Sequence, residues 1–199
     1  MDYDGKIERR DQIPTSEKAL KGYIEKISGS KALVFEEIEE YLVASEDMNL
    51  PVTKETVLVL KHAGPKGFPG FPEVGNMPIP RKLLEQGITD MVRISDARMS
   101  GTAYGTVLLH TSPEAALGGP LALVKTGDEI SLDVPNRRID LLVSEEEMAK
   151  RKAAWQPPKP KYERGWGKLY YETVQQAHLG ADLDFLNGSS GDYVPRHSH

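Results

Sequence analysis

The most constraining stretch of this chain is an apolar run that collides with a segment unable to continue it. TVLVL (56–60) is a run of β-branched residues and leucine, too short for a helix core and typical of a buried strand. Four residues later, GPKGFPGFPE (64–73) puts three glycines and three prolines into ten residues. Proline removes a backbone donor and fixes φ, and glycine opens the positive-φ region. A strand at 56–60 must therefore feed a stiff, irregular loop.

The rest of the chain alternates in the same way. KALVF (31–35) is strand-like, and EEIEEYLVASE (36–46) puts Ile38, Tyr41, Leu42 and Ser45 on one helical face. IPRKLLEQG (79–87) predicts a helix with Pro80 in its first turn and Gly87 as its stop. DMVRIS (90–95) predicts a strand, DARMSGTAYG (96–105) a polar loop, and TVLLH (106–110) another strand. SPEAAL (112–117) suits a short helix with Ser112 as N-cap and Pro113 at N1. From 121 onward LALV, EISLDV and RIDLLV read as short strands parted by KTGD and PNR, as in a meander or part of a barrel. SEEEMAKRKAAW (144–155) predicts a helix with a Ser144–Glu147 capping box, QPPKPKYE (156–163) a linker, and GKLYYETVQQAH (167–178) a helix stopped by Gly180. The tail beyond it is expected to be extended. The division expected is an N-terminal arm at 1–30, a catalytic domain at 31–155, and a linker, helix and tail at 156–199 packing on it.

Composition narrows the function. The chain has 199 residues, a net charge of −5 and no basic block, which argues against nucleic acid as a partner. No apolar run suits a membrane span, and the polar start MDYDGKIERRDQ does not suit a signal peptide, so a cytoplasmic protein is expected. The absence of cysteine excludes disulfides, a cysteine nucleophile and any cysteine-held cluster within this chain.

Two segments carry chemistry. In 64–73, Gly64, Gly67 and Gly70 permit a nest of N–H groups that could hold an anion, with Lys66 adding charge. Glu73 closes the loop and could bind a hard cation such as Mg²⁺. The plainer alternative is a rigid surface turn. In SDARMSGT (95–102), Ser100 follows a predicted strand, where active-site loops of α/β folds sit. Spacing alone makes Ser100 a turn or cap residue rather than a catalyst, with Asp96 and Arg98 as a local pair. His62 and His110 end apolar runs and suit buried, hydrogen-bonded side chains, while His197 and His199 lie at the chain end.

Three segments in order say more than either loop. They are VLVLKHAGPKGFPGFPEVGNMPIP (57–80), DMVRISDARMSGTAYGTVLLHTSPEAALGGPLALVKTGDEISLDVPNRRIDLLV (90–143) and GADLDFL (180–186). Together they resemble the C-terminal domain of the dihydroxy-acid and phosphogluconate dehydratase family, most of all its sugar-acid branch (L-arabinonate and D-xylonate dehydratases). The resemblance implies a mixed α/β fold, a swivelling β/β/α domain with a barrel-like mixed sheet flanked by helices. It implies a hydro-lyase that converts a 2,3-dihydroxy acid or sugar acid to a 2-keto-3-deoxy acid, with Mg²⁺ and an iron–sulfur cluster as cofactors. By the same resemblance Glu73 is a Mg²⁺ ligand, Ser100 the base that removes the C2 proton, Thr102 a substrate-binding residue, and His199 a tail residue closing over the substrate. The family's cluster cysteines belong to an N-terminal domain. The expected partners are therefore a cluster-binding N-terminal domain or subunit, the small acid substrate and further copies of the protein. The isolated chain is expected to fold without turnover. A non-catalytic interaction or regulatory module that keeps the fold is the alternative.

Overall fold

The computed structural model describes residues 24, 26–101, 103 and 105–186. Its centre is a six-stranded mixed sheet in the order β4-β3-β2-β1-β5-β6, curved into a half-barrel. The strands are β1 (Lys26–Phe35), β2 (Val57–Leu60), β3 (Arg93–Ser95), β4 (Val107–Leu108), β5 (Glu129–Asp133) and β6 (Arg138–Leu141). β1 starts five residues before KALVF, because its first half finds a partner only in distant β5. That half pairs antiparallel with β5 (Lys26↔Asp133), and the second half pairs parallel with β2 (Phe35↔Leu60). β2, β3 and β4 continue the parallel half, and β6 extends the antiparallel half.

The alternation of side chains on β2 divides the interior. Leu58 and Leu60 face one cluster with Phe35, Ile38, Tyr41 and Met91, while Val57 and Val59 face another with Ala32, Ile94, Leu121 and Ile130. All four β2 residues are fully buried, as expected of a strand covered on both faces. Each such side chain contributes about 1.5–3 kcal/mol of burial.

α1 (Ile38–Ser45) covers the first cluster with Ile38, Tyr41 and Ser45, but Leu42 is left about half exposed. The Tyr41 ring meets Phe35 edge-on at 5.0 Å, and its hydroxyl donates to the Pro78 carbonyl. α2 (Arg81–Leu84) is a single turn after Pro80, and Gly87 follows it at φ 79°. α3 (Glu145–Ala154) begins at Ser144, whose Oγ accepts the Glu147 N–H at 3.2 Å. Glu147 does not complete the capping box; its carboxylate takes Arg151 Nε at 2.8 Å.

Three expected elements differ. LALV is not a strand: a 3₁₀ turn runs Pro120–Leu123, because Gly119–Pro120 starts a tight turn and Leu121 and Leu123 anchor it in the core. SPEAAL is a 3₁₀ turn at Ala115–Leu117 that starts from Glu114. Ser112 does not cap it; its hydroxyl pairs with His178 Nδ1 at 2.5 Å instead. The last helix, α4 (Gly165–Thr173), stops well before Gly180. Gln175 donates to the Asp182 carbonyl at 2.8 Å and Val174 bridges to Leu183, which turns the chain into a short loop around a 3₁₀ turn at Ala177–Leu179. Among the described residues no helix is long and apolar enough to cross a membrane.

Candidate active site at the ends of the parallel strands

β2 and β3 are parallel neighbours, so the loops that follow them leave the same edge of the sheet. One carries Glu73 and the other Ser100. Open α/β sheets place ligand sites at this edge.

The two loops are joined directly. Arg98 Nη1 meets Glu73 Oε1 at 2.7 Å, Arg98 Nε donates to the Phe71 carbonyl at 2.5 Å, and the Gly75 N–H donates to the Arg98 carbonyl at 2.8 Å. A Cβ on Gly75 would lie 2.5 Å from Leu109 Cδ2 and 3.0 Å from the Arg98 oxygen, so this approach requires glycine. Arg98 is therefore a bridge between loops and not the partner of Asp96. Ser100 is half-buried two residues further on, and its carbonyl accepts the Ala103 N–H at 3.1 Å, so it also opens a turn. Glu73 is half exposed.

Asp96 is fully buried. Its Oδ1 accepts the Ala63 N–H and its Oδ2 the Ala115 N–H, each at 2.9 Å. Burial pushes its carboxyl up to about 7 against the pull of these N–H groups, and nearby Glu114 pushes the same way. Glu114 is buried too, and it overturns the expectation of an external anion at 64–73. The Gly67 N–H reaches Glu114 Oε2 at 2.7 Å and the Lys66 N–H lies 3.0 Å from both carboxylate oxygens. The nest exists, and its anion is the chain's own. Lys66 turns away to donate to the Tyr171 carbonyl at 2.6 Å, near the end of α4.

The far end of the Glu73 loop is held by Arg93. Its Nη1 donates to the Asn76 and Met77 carbonyls at 2.5 and 3.1 Å, and its Nη2 to Asp90 Oδ1 at 3.0 Å. Gly105, at φ 136°, lies so close that a Cβ there would collide with Arg93 Nη2.

The histidines divide. His62 is half-buried with Nδ1 3.5 Å from Glu36 Oε2. His110 is not buried as expected; it lies on the surface against the Phe71 ring, 5.6 Å between centroids. Desolvation, then Arg98, lowers its pKa. Thr102, His197 and His199 lie outside the described residues. Glu114 and Gln176 are the site-shaping residues that sequence reasoning missed; a glutamate at the start of a short apolar turn has no signature of its own.

A mixed half-barrel with two polar loops at the ends of its parallel strands defines an α/β swivelling-type domain. Residues 17–181 match the family described as dihydroxy-acid/6-phosphogluconate dehydratase C-terminal, and the chain belongs to that family. It is 57% identical over 169 residues to an L-arabinonate dehydratase of Rhizobium leguminosarum bv. trifolii, covering 85% of this chain and 29% of that protein. It is 51% identical over 164 residues to a 6-deoxy-6-sulfo-D-gluconate dehydratase of Pseudomonas putida, covering 82% and 28%. The mitochondrial dihydroxy-acid dehydratase of Saccharomyces cerevisiae is 39% identical over 181 residues, covering 87% and 31%. The aligned part thus spans under a third of each of these relatives.

Proposed function

We propose that this chain is the catalytic C-terminal part of a hydro-lyase that dehydrates a sugar acid or related 2,3-dihydroxy acid to a 2-keto-3-deoxy acid. The observation that carries the reading is the Arg98 bridge, which ties the Ser100 loop to the Glu73 loop at the ends of adjacent parallel strands. The names of the relatives support a sugar acid as substrate first and a branched dihydroxy acid second.

Ser100 is the proposed base. Its Oγ, as alkoxide, takes the C2 proton. The C2–H electron pair becomes the C2–C3 double bond as the C3–O bond breaks, and the departing hydroxide takes the proton from Ser100 to leave as water, which restores the alkoxide. The enol then relaxes to the 2-keto acid. A serine is a poor base until an adjacent base, a lowered pKa or a metal activates it, and a cation held at Glu73 would supply that activation. Thr102 is the proposed hydrogen-bonding residue for the substrate, and His199 a second contact from the tail.

Glu73 fits one ligand position of a Mg²⁺ ion, which prefers oxygen donors and keeps several waters. Among the described residues no three His, Asp or Glu side chains form a metal cluster, so the remaining ligands come from elsewhere. Bound Mg²⁺ would stabilise negative charge developing on the substrate. An iron–sulfur cluster does not fit this chain, which has no cysteine to hold it. A cluster-bearing N-terminal dehydratase domain or subunit is therefore the proposed partner. Exposed Trp166 (85%) and Phe185 (60%) support a covered face on the C-terminal segment.

The test is formation of 2-keto-3-deoxy acid from L-arabinonate or D-xylonate with Mg²⁺. It is run on the chain alone and on the chain assembled with a cysteine-bearing N-terminal dehydratase domain. Product is expected only from the assembly, and Ser100→Ala is expected to abolish it while leaving the fold intact. Turnover by the chain alone overturns the dependence on a partner, and turnover that survives Ser100→Ala overturns the role of Ser100. An inactive assembly favours the non-catalytic module. Separately, Mg²⁺ titration of the assembly is expected to move the Glu73 resonances and to lose that response in Glu73→Gln.

A further inference from the structure

Two buried carboxylates knit this edge of the sheet together, and neither has a part in the chemistry above. Asp96, after β3, holds the N–H groups of Ala63, after β2, and Ala115, after β4. Glu114, beside Ala115, holds the N–H groups of Lys66 and Gly67. A further connection leaves the sheet. Gln176 Nε2 donates to Glu114 Oε1 at 2.5 Å, and the Glu114 N–H donates back to Gln176 Oε1 at 2.8 Å. Gln176 is 8% exposed and Glu114 1%.

A carboxylate this deep is costly unless donors surround it. Here backbone and amide donors replace a counter-ion, and they come from two segments about a hundred residues apart in the sequence. One is the loop that carries Glu73, and the other is the C-terminal segment of α4 and the turn beyond it. Lys66 Nζ makes a second link between the same two segments at the Tyr171 carbonyl. On the outer side of the loop, Arg98 senses its position through the Phe71 carbonyl and the Glu73 carboxylate.

We infer that Glu114, seated by Gln176, is a positioning residue that fixes the glycine-rich loop and with it Glu73, so that the C-terminal segment controls the geometry of the site. The inference rests on the reading of Glu73 as a site residue, but its physical core, the coupling of the two segments, is measurable without turnover.

The pair is nearly exchangeable, which supplies the test. In Glu114→Gln the new amide presents a donor where Gln176 Nε2 also donates, and in Gln176→Glu two carboxylates face each other. The double variant Glu114→Gln/Gln176→Glu swaps the two groups. The amide oxygen now at position 114 can accept from Lys66 and Gly67. The amide nitrogen there can donate to the carboxylate now at position 176, which still accepts the backbone N–H of position 114. The readouts are amide hydrogen exchange across 64–75 and the Arg98 Nε–H resonance, in the full chain. Each single variant is expected to speed exchange at Lys66 and Gly67 about tenfold or more, roughly the loss of one net hydrogen bond, and to shift the Arg98 resonance. The double variant is expected to return both to near the parent. Unchanged exchange and an unmoved Arg98 signal in the single variants overturn the inference, as does a folded double variant that fails to recover. Should either single variant not fold, Gln176→Ala leaves the Glu114 bonds to the loop in place. A smaller rise at the same amides supports the inference, and no rise overturns it. Failure of the Glu73 assignment itself is read elsewhere, by the absence of a Mg²⁺ response at Glu73 in the assembly with the N-terminal domain.

Discussion

Replacing Asp96 by asparagine sets two opposed forces against each other. Its surroundings offer two N–H donors, which favour the charged carboxylate, inside a site with no exposure, which disfavours it. Burial prevails and raises the group from its ordinary 3.8 to about 7. Between these limits the folded chain keeps a proton that the unfolded chain has released. This component of stability is therefore fully present at low pH and is lost as pH rises through about 7. The gap corresponds to roughly 4 kcal/mol at about 1.4 kcal/mol per pH unit. Asparagine is nearly isosteric but turns one acceptor into a donor, which leaves either the Ala63 or the Ala115 N–H without an acceptor. That costs about 1–3 kcal/mol at any pH. The variant should thus be less stable than the parent near about pH 4 and should exceed it near about pH 8. Urea unfolding of both proteins across that range gives the difference directly, and other titrating groups cancel in the comparison. A difference that is constant, or that widens in the parent's favour as pH rises, would refute the reasoning. It would mean that the N–H groups, and not burial, decide the charge of Asp96.

Other outcomes follow from single contacts. Gly105→Ala forces a Cβ toward the Arg93 guanidinium at a backbone angle only glycine adopts easily. It should cost about 2–4 kcal/mol, read from the urea midpoint. Ser144→Ala removes the N-cap of α3 and should cost about 1 kcal/mol, seen as a lower Tm. Arg98→Met breaks a half-exposed ion pair and should change global stability by under about 1 kcal/mol. It should nevertheless speed amide exchange at Gly75 and, in the assembled enzyme, reduce turnover; wild-type values for both would remove Arg98 from the site.

The strands of the parallel half are legible in the sequence because burial on both faces leaves unbroken apolar runs such as VLVL, and the stop at 64–73 is legible from its glycines and prolines. LALV misleads because a 3₁₀ turn anchored by alternate leucines buries the same side chains as a strand. The first half of β1, KISGS, carries no apolar run, and only its pairing with β5 makes it a strand. At the site, the resemblance singles out Ser100 and Glu73, and the structure shows their loops joined. The joining groups are invisible in the sequence for a common reason. Arg98 reaches 25 residues back to Glu73, and Gln176 lies 62 residues from Glu114, so no local window contains either pair.

β1 has a consequence for how this protein is made. Its first half pairs with a strand about a hundred residues later, while its second half pairs with β2 close behind it. Closing the longer loop adds only about 1 kcal/mol of entropy relative to the shorter one, so the delay is one of timing more than of cost. During synthesis the parallel half can assemble from β1 and β2 well before β5 leaves the ribosome. In that interval Lys26–Ser30 presents an open edge. The lysine at its start and the bulge between Ile27 and Ser30 are features that discourage a second nascent chain from adding to it. Chains that stall before β5 should be the aggregation-prone species in a cell making this protein.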